Sequence, residues 1–265
     1  MTDKDNYLEI KSNQHMKVCM FSSIGDREEQ QDAADMILNA DDGIIVVCDG
    51  MGGHRGGKLA SSIAVRVVLD AYKDGDFSEE SDIGDIFRDV IADADYEISR
   101  LRDEDGEPLK SGTTIVSTVI KGKNIYWASV GDSRIYLIRN NEMIQVTKDH
   151  TYELALKENL EAGLITASFV EEQKQSSGAL ISFIGNGIPY IDSNREPFHL
   201  CSGDKIIMMS DGLYKYLSDE TILSIISGVD NIEETVKILD NRAKMAAWEQ
   251  GVKRDNMTVA IVEIN

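Results

Sequence analysis

The chain has 265 residues but only three prolines, three cysteines, four histidines and two tryptophans. So few prolines leave no Pro-rich stretch to mark an interdomain linker, and neither a repeat nor a low-complexity tract interrupts the sequence. Cys19, Cys48 and Cys201 are odd in number and far apart. They form no CxxC pair and no disulfide framework, and the sequence lacks the closely spaced histidine and cysteine that zinc wants. Each lies in or beside an apolar stretch and is expected to be a reduced core residue. No apolar run approaches the ~18 residues of a membrane helix, and the opening MTDKDNYLEIKSN lacks the apolar core of a secretion signal. A cytoplasmic location is expected.

Positive charge is also scarce. Against 47 acidic residues stand 27 Lys and Arg, a formal net charge of -20. Such a surface repels nucleic acid and anionic membranes at long range, so neither is expected as a partner. It does suit cations. Most of the acids are expected to be solvated surface groups, and only those at special places bear on chemistry.

Apolar content of 42% is enough for a real core. Residues 1–14 are polar and are expected to be a flexible terminus. Strands are predicted at 17–21, 43–48, 114–120, 125–130, 134–138, 205–210 and 257–264, as short β-branched or apolar runs bounded by Gly, Asp and Asn. Helical periodicity appears over 58–72, where Leu59, Ile63, Val67 and Leu69 are expected on one side, and over 83–101. A second pair is predicted at 219–227, with Ser218 as N-cap, and at 231–248. Helices in two local pairs with strands between them suggest a layered arrangement with the sheets in the middle. Residues 152–197 open as a helix and then turn irregular, as a surface excursion would.

Three apolar strands end in an aspartate beside a glycine: IIVVCDG at Asp49, YWASVGDSR at Asp132 and IIMMSDG at Asp211. A fourth aspartate, Asp255, stands just before MTVAIVEI. One Asp-Gly pair is ordinary turn chemistry. Four at strand ends can be aimed by rigid backbone at one pocket, as a hard, oxygen-seeking cation requires. An all-oxygen donor set favours magnesium or manganese. The run 49–57 carries five glycines between a strand and a helix, so a carbonyl such as that of Gly50 can also approach an ion. It lacks the GxGxxG and Gly-Lys-Ser/Thr patterns of nucleotide loops.

In order along the chain stand REEQQD (27–32), DGMGGHRGG (49–57), SGTT (111–114), VGDSRIY (130–136), TKDHT (147–151), AGLI (162–165), SDGL (210–213) and DNMTV (255–259). This series resembles the metal-dependent protein phosphatases of the protein phosphatase 2C type, in their compact bacterial form. The resemblance covers almost the whole chain and implies a single catalytic domain over 1–265 that acts as a monomer. The implied fold is α+β, a four-layer α-β-β-α sandwich of two central antiparallel sheets flanked by helix pairs, with a flap within 152–197.

The implied cofactors are two divalent cations, Mn2+ or Mg2+, and a third, weaker one. By the same resemblance Asp49 bridges the two ions, Gly50 gives its carbonyl to one, and Asp211 and Asp255 hold the other. Asp132 with Asp211 takes the third, and Asp32 orients water. Arg27 is expected to grip the substrate phosphate, because a guanidinium donates two parallel hydrogen bonds to phosphate oxygens. The activity implied is hydrolysis of phosphoserine and phosphothreonine in protein substrates of a serine/threonine kinase, by a water or hydroxide shared between the metals. A rival reading is a non-catalytic phosphoprotein-binding module of the same fold, which the intact Asp49, Asp211 and Asp255 oppose. The sequence departs from the family pattern at Gln30 and Gln31, expected to be tolerated changes around the centre although the loss of an acid there bears on the strength of one metal site, and at the flap string Ser182–Asn186, which bears on substrate preference more than on chemistry. His54 and His150 are expected to tie down backbone.

Overall fold

The computed structural model describes residues 6–53, 55–77, 82–187 and 189–265. The chain begins with β1 (Tyr7–Ser12), β2 (Met16–Ser23), β3 (Ala33–Leu38), β4 (Asp42–Cys48) and β5 (Gly50–Gly52), then α1 (Gly56–Asp74) and α2 (Ile83–Ser99). Next come β6 (Ser111–Thr113), β7 (Ile115–Lys121), β8 (Asn124–Val130), β9 (Arg134–Arg139) and β10 (Glu142–Gln145). The excursion holds α3 (Tyr152–Glu161), α4 (Ala167–Glu172), β11 (Asp192–Ser193) and β12 (Phe198–His199). The chain closes with β13 (Lys205–Met209), α5 (Asp211–Tyr214), α6 (Asp219–Gly228), α7 (Ile232–Gln250) and β14 (Met257–Ile264).

One sheet has the order β1-β2-β14-β13-β9-β10 and the other β11-β8-β7-β4-β3, with β12 also on β8. Their pairings are antiparallel. An antiparallel sheet with one wet face alternates apolar and polar residues, whereas IIVVC (44–48) and the IIMM that follows Lys205 are apolar throughout. The reason is burial on both faces. In β4, Ile44, Val46 and Cys48 pack beneath α1 and α2, while Ile45 and Val47 point into the core between the sheets. In β13, Ile207 and Met209 meet α6 and α7, while Ile206 and Met208 meet the opposite sheet. Helix pair, sheet, sheet and helix pair make the four-layer α+β sandwich expected from the sequence.

Capping fixes the second helix pair. The Ser218 hydroxyl accepts from the Thr221 amide at the start of α6, as predicted, and Asn231 accepts from Glu233 and Glu234 at the start of α7.

Three expectations need correction. The terminus over 1–14 is not wholly flexible: β1 pairs along β2 from Tyr7↔Ser22 to Ser12↔Lys17 as an edge strand. Its Leu8 packs on the helix-covered core, and residues 1–5 lie outside those described. The buried face of α1 is not the Leu59 face. Leu59 is 44% exposed and Ile63 and Val67 are only partly buried; of the expected set Leu69 alone is fully in the core, with Ala60, Ala64, Val65, Val68 and Tyr72, and the small residues let the helix come close to β5 and β6. Cys201 is exposed rather than in the core, whereas Cys19 and Cys48 are buried, and all three are free thiols.

Candidate active site

Strand register brings the aspartates together. Ala33 pairs with Cys48 at the end of β3 and β4, which puts Asp32 beside Asp49. Val47 pairs with Val116, and the Thr114 amide donates to the Asp49 carbonyl at 2.9 Å. In the other sheet Met209 pairs with both Arg134 and Val259. The turns carrying Asp132, Asp211 and Asp255 therefore lie at one end of that sheet. Asp32 and Asp49 come from one sheet, Asp211 and Asp255 from the other, and Asp132 from the β8–β9 link between them. Asp49, Asp132, Asp211, Asp255 and the Gly50 backbone line a cleft of about 1430 Å³, with Arg27 on its wall.

Close backbone approach makes two glycines necessary. A Cβ on Gly50 would stand 2.2 Å from the Gly57 carbonyl oxygen and 2.4 Å from that of Gln31. A Cβ on Gly212 would stand 1.8 Å from the Asn256 carbonyl oxygen, so glycine after Asp211 is what lets that turn lie against the Asp255-Asn256 turn. Asn256 then fixes the Arg27 loop. Its amide group donates to the carbonyls of Ile24 and Glu29, and its oxygen accepts from the Gln31 amide.

The carboxylates repel one another in partial burial. Burial first, then Asp32, Asp211, Asp132 and Asp255, holds the Asp49 carboxyl well above the usual range. Burial pushes Asp32 up to about 7, with Asp211 and Asp255 adding to it and hydrogen bonds from Thr258 and Ser210 opposing it. The Ser210 hydroxyl donates to Asp32 Oδ2 at 2.8 Å. Burial and Asp211 raise Asp132 to about 6, against the pull of Lys215. Asp32 Oδ1 and Asp211 Oδ1 are buried without a hydrogen-bond partner.

Two orphaned carboxylate oxygens in a cluster of like charges fit a divalent cation, which supplies both the missing partner and the missing charge. Among the described residues no three acidic, histidine or cysteine side chains are already arranged to hold an ion. Side-chain cations take two of the carboxylates instead. The Arg27 guanidinium donates to Asp255 Oδ2 at 2.6 Å, and the Lys215 ammonium donates to Asp211 Oδ2.

Sequence reasoning missed Lys215, whose signal was its place four residues after Asp211. It also missed Ser210 and Thr114, which become meaningful only through register. The His150 expectation agrees with the geometry: its buried ring accepts from the Gly131 amide at 3.1 Å and packs edge-on against Tyr190. His54 lies outside the described residues. Arg134 of the GDSR string forks onto Asp149 and lies over the Tyr214 ring at 3.7 Å, as a structural clamp.

Comparison with known proteins adds independent observations. The family described as "Protein phosphatase 2C" matches residues 7–156. Protein phosphatase PhpP of Streptococcus pneumoniae serotype 2 is 30% identical over 259 residues, spanning 94% of this chain and 98% of that protein. Serine/threonine phosphatase stp of Listeria welshimeri is 29% identical over 241 residues, 90% of this chain and 92% of its own length. The solved serine/threonine phosphatase of S. agalactiae superposes with a TM-score of 0.78 at 30% identity, over 94% of this chain and all of that one.

Proposed function

The chain belongs to the protein phosphatase 2C family and is a metal-dependent serine/threonine phosphatase, and we propose that its working centre is the aspartate cluster at the end of the sandwich. Asp49, Asp211, Asp255 and the Gly50 carbonyl hold two divalent cations in this reading, Mn2+ or Mg2+ by donor chemistry. The observation that carries it is the convergence of Asp49, Asp132, Asp211 and Asp255 at one cleft with Asp32 buried beside Asp49, and with one oxygen each of Asp32 and Asp211 buried and unpartnered. When bound, the cations lower the pKa of water and neutralise charge developing on the phosphoryl group.

The residues of the chain do the rest. Asp49, Asp32 and Asp211 are rigidly placed by strand ends, so their oxygens are aimed before substrate arrives. Asp32, beside Asp49 and held by the Ser210 hydroxyl, is the acid that orients a water in this reading. Arg27 is half-exposed on the cleft wall, and once Asp255 is otherwise engaged its fork is free to grip phosphate oxygens. The substrates proposed are phosphoproteins made by a serine/threonine kinase. Three free thiols, one of them exposed, support a reducing compartment such as the cytoplasm, and we take the chain as one catalytic unit acting as a monomer.

The test is release of phosphate from p-nitrophenyl phosphate and from a phosphothreonine peptide, with Mn2+, Mg2+ or EDTA, alongside Asp211→Asn. Metal-dependent turnover of both substrates, abolished by EDTA and by the substitution, is expected. Full activity of Asp211→Asn would sink the assignment of the centre.

A further inference from the structure

One cation inside the acidic centre has no role in that reading. Lys215 lies one turn beyond Asp211: its amide donates to the Asp211 carbonyl at 3.0 Å, and its ammonium donates to Asp211 Oδ2. An acid four residues before a lysine is the favourable order for such a pair. Asp132 and Asp255 also stand near enough to act on the same ammonium. The Asp132 turn is held on that side, because the Tyr214 hydroxyl donates to the Asp132 carbonyl at 3.0 Å and Arg134 pairs with Met209.

Asp211 is thus divided. Its Oδ1 is buried and without a partner, whereas Oδ2 is held by Lys215. Oδ1 is left without a side-chain donor and open to a cation. A further cation on Oδ2 has to compete with the ammonium already there. A tethered ammonium is always present at high effective concentration, so a weakly bound ion competes with it poorly.

We propose that Lys215 is the resident cation of the corner between Asp132 and Asp211, so that this chain holds two divalent ions and Lys215 fills the place of a third. The inference rests on the two-ion reading of Asp49, Asp211 and Asp255. Its consequence is a centre whose outer charge is neutralised without reference to metal supply.

Calorimetric titration of Mn2+ into the full chain tests it, comparing the unmodified protein with Lys215→Met, Lys215→Gln and the double variant Lys215→Met/Asp132→Asn, each checked for folding by circular dichroism. Lys215 is half-exposed at a helix end, so both neutral replacements are compatible with the fold. Expected are two ions per unmodified chain, three in Lys215→Met and Lys215→Gln, and two again in the double variant. Three ions in the unmodified protein with an affinity that the substitutions leave unchanged, two ions in every variant, or a third ion that survives Asp132→Asn would overturn it. No ion bound by any of them would overturn the two-ion reading, and this inference with it.

Discussion

Replacing Asp32 by Asn is expected to destroy turnover and yet strengthen the metal-free fold at neutral pH. Asp32 titrates near an ordinary 3.8 when unfolded and at about 7 in the fold, where burial is the largest cause. A raised carboxyl pKa means that the folded state binds more protons than the unfolded chain between these values. Stability therefore falls as pH rises from about 4 to about 7, and the loss is complete above that. At about 1.4 kcal/mol per pH unit, the gap is worth on the order of 4 kcal/mol. Asn keeps an oxygen for the Ser210 hydroxyl but puts an amide N–H where Oδ1 now has no partner, which costs about 1–3 kcal/mol. The expected net gain is about 1–3 kcal/mol at pH 7.5 and a loss at pH 4. Urea unfolding in EDTA at the two pH values measures it, with added Mn2+ as the opposing arm, since an ion bound only to the fold stabilises the parent protein. A variant less stable than its parent at pH 7.5, or an unchanged slope between the two pH values, would refute the reasoning.

Gly212→Ala is expected to cost about 3 kcal/mol, the upper end for overpacking. Its Cβ would meet the Asn256 carbonyl oxygen at 1.8 Å, and separation of the Asp211 and Asp255 turns should remove most phosphatase activity in the fraction that folds. Urea denaturation and p-nitrophenyl phosphate turnover report the two effects. His150 has its pKa lowered, first by burial, so the unfolded chain binds the extra proton as pH falls through about 6.5 and stability is lost in that direction. His150→Gln should show a flatter dependence of melting temperature between about pH 7 and pH 5, and an equal slope in parent and variant would contradict this.

The layers were legible because each carries its own physics. IIVVC and KIIMM read as strands since both their faces are buried, and Ser218 read as a cap since its hydroxyl has one useful partner there. Asp49, Asp132, Asp211 and Asp255 stood out because an acid at the end of an apolar run has little reason to be there for packing alone. Other features were hidden in pairing. AADMIL gives β3 no alternation to read, and it is a strand because Ala33 to Leu38 pair with β4. The inward face of α1 was misread because Leu59 is more apolar than Ala60 and Ala64, whereas the close approach of the helix to β5 and β6 demands small residues. Sequence alone puts only Asp211 near Lys215, and the registers that set Arg134 and Val259 opposite Met209 bring Asp132 and Asp255 to it as well.

The carboxylates of the cleft are divided between the two sheets, and that division bears on how the protein assembles. Either sheet can form its own strand pairs and bury its helix pair without bringing Asp32 and Asp49 against Asp211 and Asp255. The pairs within each sheet already repel, and closing the two halves on each other adds the repulsion of Asp211 and Asp255 to that of Asp32 and Asp49, which weakens the seam between the sheets at this end. Divalent ions held as proposed by Asp49, Asp211 and Asp255 would tie the two sheets together across that seam. A cell short of them should hold a chain that opens more readily at this end and is cleared faster by proteases, so that the amount of enzyme, as well as its rate, follows metal supply.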